Sequence, residues 1–192
     1  MKTVFLTGAT GNMGWAGFQE LYKRKDRFDI RILARDSKKN RRMLSEYLDD
    51  SAVTVVWGDL TRYEDVLAGV TGSDYVLHVG GMVSPAADYY PEKTLKVNVT
   101  SAENVVRAVL AQPNADDMRV VYIGSVAQYG DRNPPCHWGS VDEPQTPAKF
   151  DMYALSKIRS EEIFAKAGCR QVRNWLFSWL SRLSRAKVPE TL

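Results

Sequence analysis

Five short apolar runs punctuate the chain, and each is followed by a longer stretch in which apolar residues recur at helical spacing. Residues 3–7 predict a first strand, which passes directly into Gly8-Ala9-Thr10-Gly11-Asn12-Met13-Gly14. The next segment, Met13 to Lys23, has helical composition, with Met13, Phe18 and Leu21 able to share a buried side. Ile30–Ala34 predicts a second strand, a charged helix follows around Lys38–Leu48, and Val53–Trp57 predicts a third strand. Thr61 can cap a short helix containing Val66 and Leu67. Tyr75–Val79 is the fourth strand, residues 92–111 form a long helix ending before Pro113, and Val120–Ile123 is the fifth strand. From Asp151 to Ala167 the pattern is helical again, and Gly168 stops it.

Strands alternating with helices predict the α/β class: a Rossmann-like, doubly wound, mostly parallel sheet with strand order 3-2-1-4-5. Residues 1–168 read as one nucleotide-binding domain and residues 169–192 as a divergent basic amphipathic tail. The 26 basic and 23 acidic side chains leave a net charge of +3, which makes no electrostatic case for nucleic acid or a membrane surface. Cys136, Cys169, His78 and His137 form no spaced ligand cluster, so no metal is expected. The opening MKTVFLTG turns to glycine too early for a signal-peptide core, and no run approaches the roughly eighteen apolar residues of a membrane span. A soluble, reducing, cytoplasmic setting is the expectation.

The glycine segment adds chemistry. Gly8 permits a tight turn, Gly11 lets backbone approach a pyrophosphate, and Gly14 permits close packing of the following helix, whose first amides can hold the anion. The spacing is GxxGxxG, and its place between a strand and a helix separates it from an ordinary glycine turn. After the second strand comes Ala34-Arg35-Asp36-Ser37-Lys38. An acidic side chain here would accept the adenosine ribose hydroxyls of NAD, whereas an arginine can pair with the 2′-phosphate of NADP. Arg35, supported by Lys38, favours NADP over NAD; Asp36 is the counterweight, and Arg35 as plain surface charge is the alternative. Asp59 can accept from the adenine amino group with Leu60 near the ring, or it can cap the next helix. Val79-Gly80-Gly81 leaves space for adenosine and ribose, and His78 reads as a packed or locally hydrogen-bonded side chain.

Tyr153 and Lys157 stand four residues apart, on one helical face. Lys157 can hydrogen-bond a nicotinamide ribose while its charge stabilises tyrosinate, and Tyr153 can exchange a proton with a substrate hydroxyl or carbonyl. Such a pair is common by chance, but Ser125 follows the fifth strand at the edge that would receive the cofactor, where its hydroxyl can orient a carbonyl. Asn98 could support Lys157 through backbone and water contacts, or face solvent.

Together these residues resemble the extended short-chain dehydrogenase/reductase family, especially its NAD(P)-dependent epimerase/dehydratase group, over roughly residues 2–168. The resemblance rests on Thr7 to Gly14, Gly58-Asp59-Leu60, Asn98, Ile123 to Gly130 and Tyr153-Ala-Leu-Ser-Lys157, in that order. It implies a proton relay of Ser125, Tyr153 and Lys157, with hydride passing between substrate carbon and nicotinamide. Gly8, Thr10, Gly11, Asn12, Met13 and Gly14 would lie by the pyrophosphate, Arg35, Asp59 and Leu60 by the adenosine, and Val79, Gly80 and Asn98 along the crossing. Tyr129 would lie along the substrate pocket or pack under its loop, and Glu143 and Pro147 would shape the approach to the catalytic helix.

After Gly168 the resemblance ends: the strand, nicotinamide loop and substrate lobe that follow in family members are replaced by a Trp-, Ser- and Arg-rich sequence. Leu176, Trp179, Leu180 and Leu183 suit an amphipathic helix, with Arg182 and Arg185 on its wetter side. It could cover a sheet edge, join a second copy or a protein partner, or, least favoured, touch an anionic membrane; a frame change or truncated gene is the alternative origin. The reading that follows is an NADP-linked oxidoreductase or epimerase/dehydratase-type enzyme acting on a small hydroxylated or carbonyl substrate. Its alternatives are a protein that binds NADP or a partner without turnover, and a non-functional fragment.

Overall fold

The computed structural model describes residues 1–130 and 143–168. The expected tail helix and the residues named in it lie outside the described residues. Strands β1 (Lys2–Thr7), β2 (Phe28–Ala34), β3 (Val53–Trp57), β4 (Tyr75–His78) and β5 (Arg119–Tyr122) form one parallel sheet in the order β3-β2-β1-β4-β5. Helices α1 (Asn12–Tyr22), α2 (Lys38–Leu44), α3 (Tyr63–Val70), α4 (Ala86–Tyr89), α5 (Pro91–Leu110) and α6 (Met152–Lys166) occupy the connections. Among the described residues, no helix is long and apolar enough to cross a membrane.

The strands read as near-continuous apolar runs because both sheet faces are covered. Alternate residues split the core: Phe5, Leu33, Val76 and Val120 pack with Val66, Val105 and Phe164 under α3, α5 and α6. Leu6, Ile30 and Ile32 pack with Phe18 and Leu44 under α1 and α2. Each such side chain contributes about 1.5–3 kcal/mol through removal from water. Register sets Thr7 beside His78 and His78 beside Tyr122, so the strand ends share one carboxyl edge. After β3 the chain crosses back over β1 to reach β4, making the gap between β1 and β4 the switch point of the sheet.

Some expectations needed adjustment. Met13 does not join Phe18 and Leu21 against the core: it lies beyond the sheet edge in the first turn of α1 and is 60% exposed. Thr61 caps no helix, because its hydroxyl donates to Asp59 Oδ1 and Arg62 takes the N-cap position of α3. α2 gives way after Leu44 to a 3-10 turn over Ser45–Tyr47. Neither α4 nor the 3-10 turn Val126–Tyr129 was foreseen.

Candidate active site at the carboxyl edge

Gly8 leaves β1 at φ +75°, a conformation that favours glycine, and a Cβ there would lie 2.7 Å from the Gly80 amide nitrogen. The turns after β1 and β4 therefore meet backbone to backbone at the switch point. A Cβ on Gly14 would lie 1.9 Å from the Gly8 carbonyl oxygen, so α1 starts directly against the turn. The N-cap, Gly11, offers no side-chain cap, and the first turn of α1 holds no acidic residue. Gly11 and Asn12 are exposed, Thr10 is half-buried, and the amides that open α1 face outward with the positive end of the helix dipole. This cradle fits the pyrophosphate of a dinucleotide in both shape and sign.

At the ends of β2 and β3 the carboxylates of Asp36 and Asp59 are already partnered. Asp36 accepts from Arg41 through Nε at 2.6 Å and Nη2 at 2.8 Å, and the Arg41 guanidinium lies 4.7 Å from the centre of the Trp57 ring. Arg35 is exposed. Asp59 Oδ1 accepts from the Thr61 amide at 2.8 Å and the Thr61 hydroxyl at 2.7 Å. Partial burial pushes the Asp59 carboxyl up, but those bonds and the charges of Arg35 and Arg62 outweigh it and hold the group below the ordinary carboxylate range. Leu60 packs over Gly80, where a Cβ would lie 2.6 Å from its Cδ1, and its carbonyl accepts from Asn104 at 2.9 Å.

Across the switch point, α6 begins at Asp151, whose carboxylate accepts from the Ala154 amide at 2.8 Å. Lys157 is buried, its Nζ donating to the Ile123 carbonyl at 2.8 Å just after β5 and lying 4.9 Å from the Tyr122 ring centre and 5.9 Å from that of Tyr153. Burial pushes the Lys157 ammonium down to about 8. Ser125 caps the 3-10 turn, its Oγ accepting from the Ala127 amide at 3.2 Å while its own amide donates to Gln128 Oε1 at 2.7 Å. Tyr153 is half-buried, and among the described residues neither Ser125 nor Lys157 is hydrogen-bonded to its hydroxyl.

Asn98 is neither solvent-facing nor bonded to Lys157. Its Oδ1 accepts from the Met82 amide at 2.7 Å, and its Nδ2 donates to the Met82 carbonyl at 3.0 Å and to Ser156 Oγ at 2.8 Å. The Asn98 amide can serve donor and acceptor together, so it clamps the loop after β4 while holding α6 one residue from Lys157. Spacing along the chain does not reveal these partners, Met82, Ser101, Ser156 and Ser160. The legible signal was the i, i+4 pair of small polar residues Ser156 and Ser160, which face α5. The concavity of about 520 Å³ bounded by Val109, Met118, Arg119 and Gly168 lies at the amino end of β5, away from these residues.

UDP-glucose 4-epimerase of Rickettsia bellii is 34% identical over 111 residues, which are 56% of this chain and 32% of the relative. The chain thus spans about a third of the length of the curated relatives it matches. In structure it resembles the Bordetella bronchiseptica enzyme WbmH in complex with NAD+, at 24% identity and a TM-score of 0.69, covering 88% of this chain and 53% of that one. It also resembles DesIV, a dTDP-glucose 4,6-dehydratase from Streptomyces venezuelae with NAD and TYD bound, at 21% identity and a TM-score of 0.71, covering 89% and 52%. These NAD complexes overturn the expected preference for NADP. Arg35 is exposed with its charge acting on the Asp59 carboxylate, and the second arginine at this edge, Arg41, is bound by Asp36, so an arginine in this stretch does not by itself select NADP. The model of one family, described as the NAD dependent epimerase/dehydratase family, matches residues 4–177. The parallel sheet, the glycine cradle and the Tyr-Lys helix all lie within that match, and the chain belongs to the NAD dependent epimerase/dehydratase family.

Proposed function

We propose that this chain binds NAD along the carboxyl edge and exchanges a hydride and a proton with a hydroxyl-bearing or carbonyl carbon of a small substrate. The substrate class is nucleotide sugar, by likeness to relatives named UDP-glucose 4-epimerase. The observation that carries this reading is the buried ammonium of Lys157, one helical turn after Tyr153. Burying an ammonium costs several kcal/mol, and among the described residues no carboxylate offsets it. One of its three protons goes to the Ile123 carbonyl, leaving two to donate toward a ribose hydroxyl and the tyrosine oxygen.

In this reading the turn of Gly8, Thr10, Gly11, Asn12, Met13 and Gly14 holds the pyrophosphate. Arg35, Asp59 and Leu60 flank the adenosine, and Val79, Gly80 and Asn98 border the crossing. When bound, the nicotinamide supplies the hydride acceptor or donor. Tyr153 takes a proton from the substrate hydroxyl, or returns one to the carbonyl oxygen, while the Lys157 charge lowers the cost of the tyrosinate. Ser125 Oγ accepts from the Ala127 amide, so its own proton stays free to donate to the substrate oxygen.

The test is hydride transfer with NAD across UDP- and dTDP-hexoses, beside calorimetry. Tyr153→Phe is expected to keep NAD affinity within about threefold and to lower turnover by about a hundredfold or more. Turnover that survives Tyr153→Phe would remove the tyrosine from its role. NAD binding with no turnover on any of these sugars would leave cofactor binding as the activity.

A further inference from the structure

His78 takes no part in the mechanism above, yet it is buried at the centre of the molecule with both ring nitrogens engaged. Its Nδ1 lies 2.9 Å from Thr7 Oγ1 and its Nε2 lies 3.4 Å from Ser101 Oγ. The ring packs 5.9 Å, centre to centre, from both Tyr122 and Phe164. The charged group facing it is Lys157 on α6.

Proton counting orders this chain of contacts. The Gly80 amide donates to Thr7 Oγ1 at 3.0 Å, which leaves the threonine proton free to point at Nδ1. Ser101 Oγ donates to the Asn98 carbonyl at 2.9 Å, so it offers His78 only a lone pair, and Nε2 must carry the imidazole proton. The same Asn98 holds Met82 and Ser156 through its side chain, and Ser156 Oγ donates to the Tyr153 carbonyl at 2.7 Å. Ser160 on α6 also reaches the Asn98 carbonyl, at 3.2 Å. A connected set of buried and half-buried hydrogen bonds therefore runs from the turn after β4, through one imidazole and then the backbone and side chain of Asn98, to the first turn of α6. Thr7, Ser101 and Ser156 each have one acceptor for the hydroxyl proton in this arrangement, while Ser160 divides its proton between the Ser156 carbonyl at 2.8 Å and the Asn98 carbonyl, so turning one end of the set disturbs the other.

We propose that His78, neutral and fixed as its Nε2–H tautomer between Thr7 and Ser101, is a positioning residue that ties the cofactor-side turn Val79–Met82 to the helix carrying Tyr153 and Lys157. The role rests on the reading of this edge as the NAD site, while the tautomer and the tie are properties of the free chain. Apolar packing alone would hold the ring in place but would leave its two nitrogens, and the rotation of α6 about its axis, unspecified.

The chain has two histidines, so nitrogen-15 NMR of the full chain resolves the His78 ring directly. The expected signature is one proton on Nε2 and a bare Nδ1, unchanged from about pH 5.5 to about pH 8. Thr7→Val keeps the shape and removes the hydroxyl; it is expected to shift the His78 ring signals and the amide signals of residues 153–160, and Thr7→Ser is expected to restore both. NAD added to the wild type should move the amides of Gly80 and of residues 153–160 together, with affinity about tenfold weaker in Thr7→Val. A proton on Nδ1, or α6 amides indifferent to Thr7→Val, would overturn the proposal. Absence of any NAD response would sink the cofactor reading alone, since the tautomer and the α6 shifts are read without it. Were Thr7→Val not to fold, the wild-type ring signature together with Ser101→Ala would decide: that variant should release the Nε2 proton to exchange, and an unchanged ring would count against the tie.

Discussion

Beneath α1 and α2 the sheet buries Leu6, Ile30, Ile32, Phe18 and Leu44, with Asn40 the buried polar side chain on those helices. Beneath α5 and α6 it buries Thr94, Asn98, Ser101, Asn104, Ser156, Lys157 and Ser160 among the apolar groups. The first face is held by contacts that any well-shaped set of apolar side chains can make. The second is held by directional bonds whose donors and acceptors must match one by one, which costs desolvation but sets the rotation and height of α6. The polar face is also the one that carries Tyr153 and Lys157. Where a helix only has to cover a sheet, oil suffices; where it has to aim two side chains, polar contacts are kept inside.

The contrast can be broken first at the seam shared by both halves. Gly14→Val would push a side chain into the Gly8 carbonyl, and we expect a loss of about 3 kcal/mol or more in urea unfolding together with loss of NAD binding by calorimetry. A folded variant with normal NAD binding would show that the turn has slack which the geometry denies.

The next largest effect belongs to the polar face and depends on pH. Burial, with a smaller contribution from the Lys157 charge, pushes His78 down to about 3, below its ordinary 6.5. The unfolded chain therefore binds the extra proton first, so this contribution is complete above about pH 6.5 and is lost by a few kcal/mol as the pH falls toward about 3. His78→Phe should flatten that part of the acid limb when stability is compared at pH 7 and pH 4, whereas Ile32→Val on the apolar face should cost about 1 kcal/mol equally at both. Equal acid sensitivity in wild type and His78→Phe would contradict the buried neutral imidazole.

Lys157 supplies the mirror case at high pH. With its folded value at about 8 against 10.5, the unfolded chain holds the proton longer, so wild-type stability should rise across that interval by about 2–3 kcal/mol. Lys157→Met should abolish the rise, measured by chemical unfolding at pH 7.5 and pH 9.5. The smallest effect is expected at Arg35: because its charge is exposed and screened, Arg35→Ala should change NAD affinity by no more than about threefold. A tenfold loss in calorimetry would place the guanidinium on the cofactor.

Much of the fold was legible because β1 to β5 are short, apolar and separated by helices with their own periodicity. The glycine turn was legible because three glycines between a strand and a helix answer a steric demand that local sequence displays. Thr61 and Met13 were misread, and the partners of Asn98 were not legible, for a common reason. Each has a role set by a neighbour remote in space or by its height above the sheet, and spacing along the chain does not record either. The NADP preference drawn from Arg35 failed because an exposed arginine reads the same in sequence whether or not it meets a phosphate.

By itself the sequence determined the parallel sheet and the cradle between β1 and α1, since these follow from local sterics and periodicity, while Ser125, Tyr153 and Lys157 were brought together as a group by the family resemblance. Only the tertiary structure decided that His78 bridges Thr7 and Ser101, that Asn98 grips Met82 and Ser156 rather than Lys157, and that Asp36 engages Arg41. Burial turns a weak preference in water into a costly obligation to pair, and which partner is at hand is known only once the helices have docked.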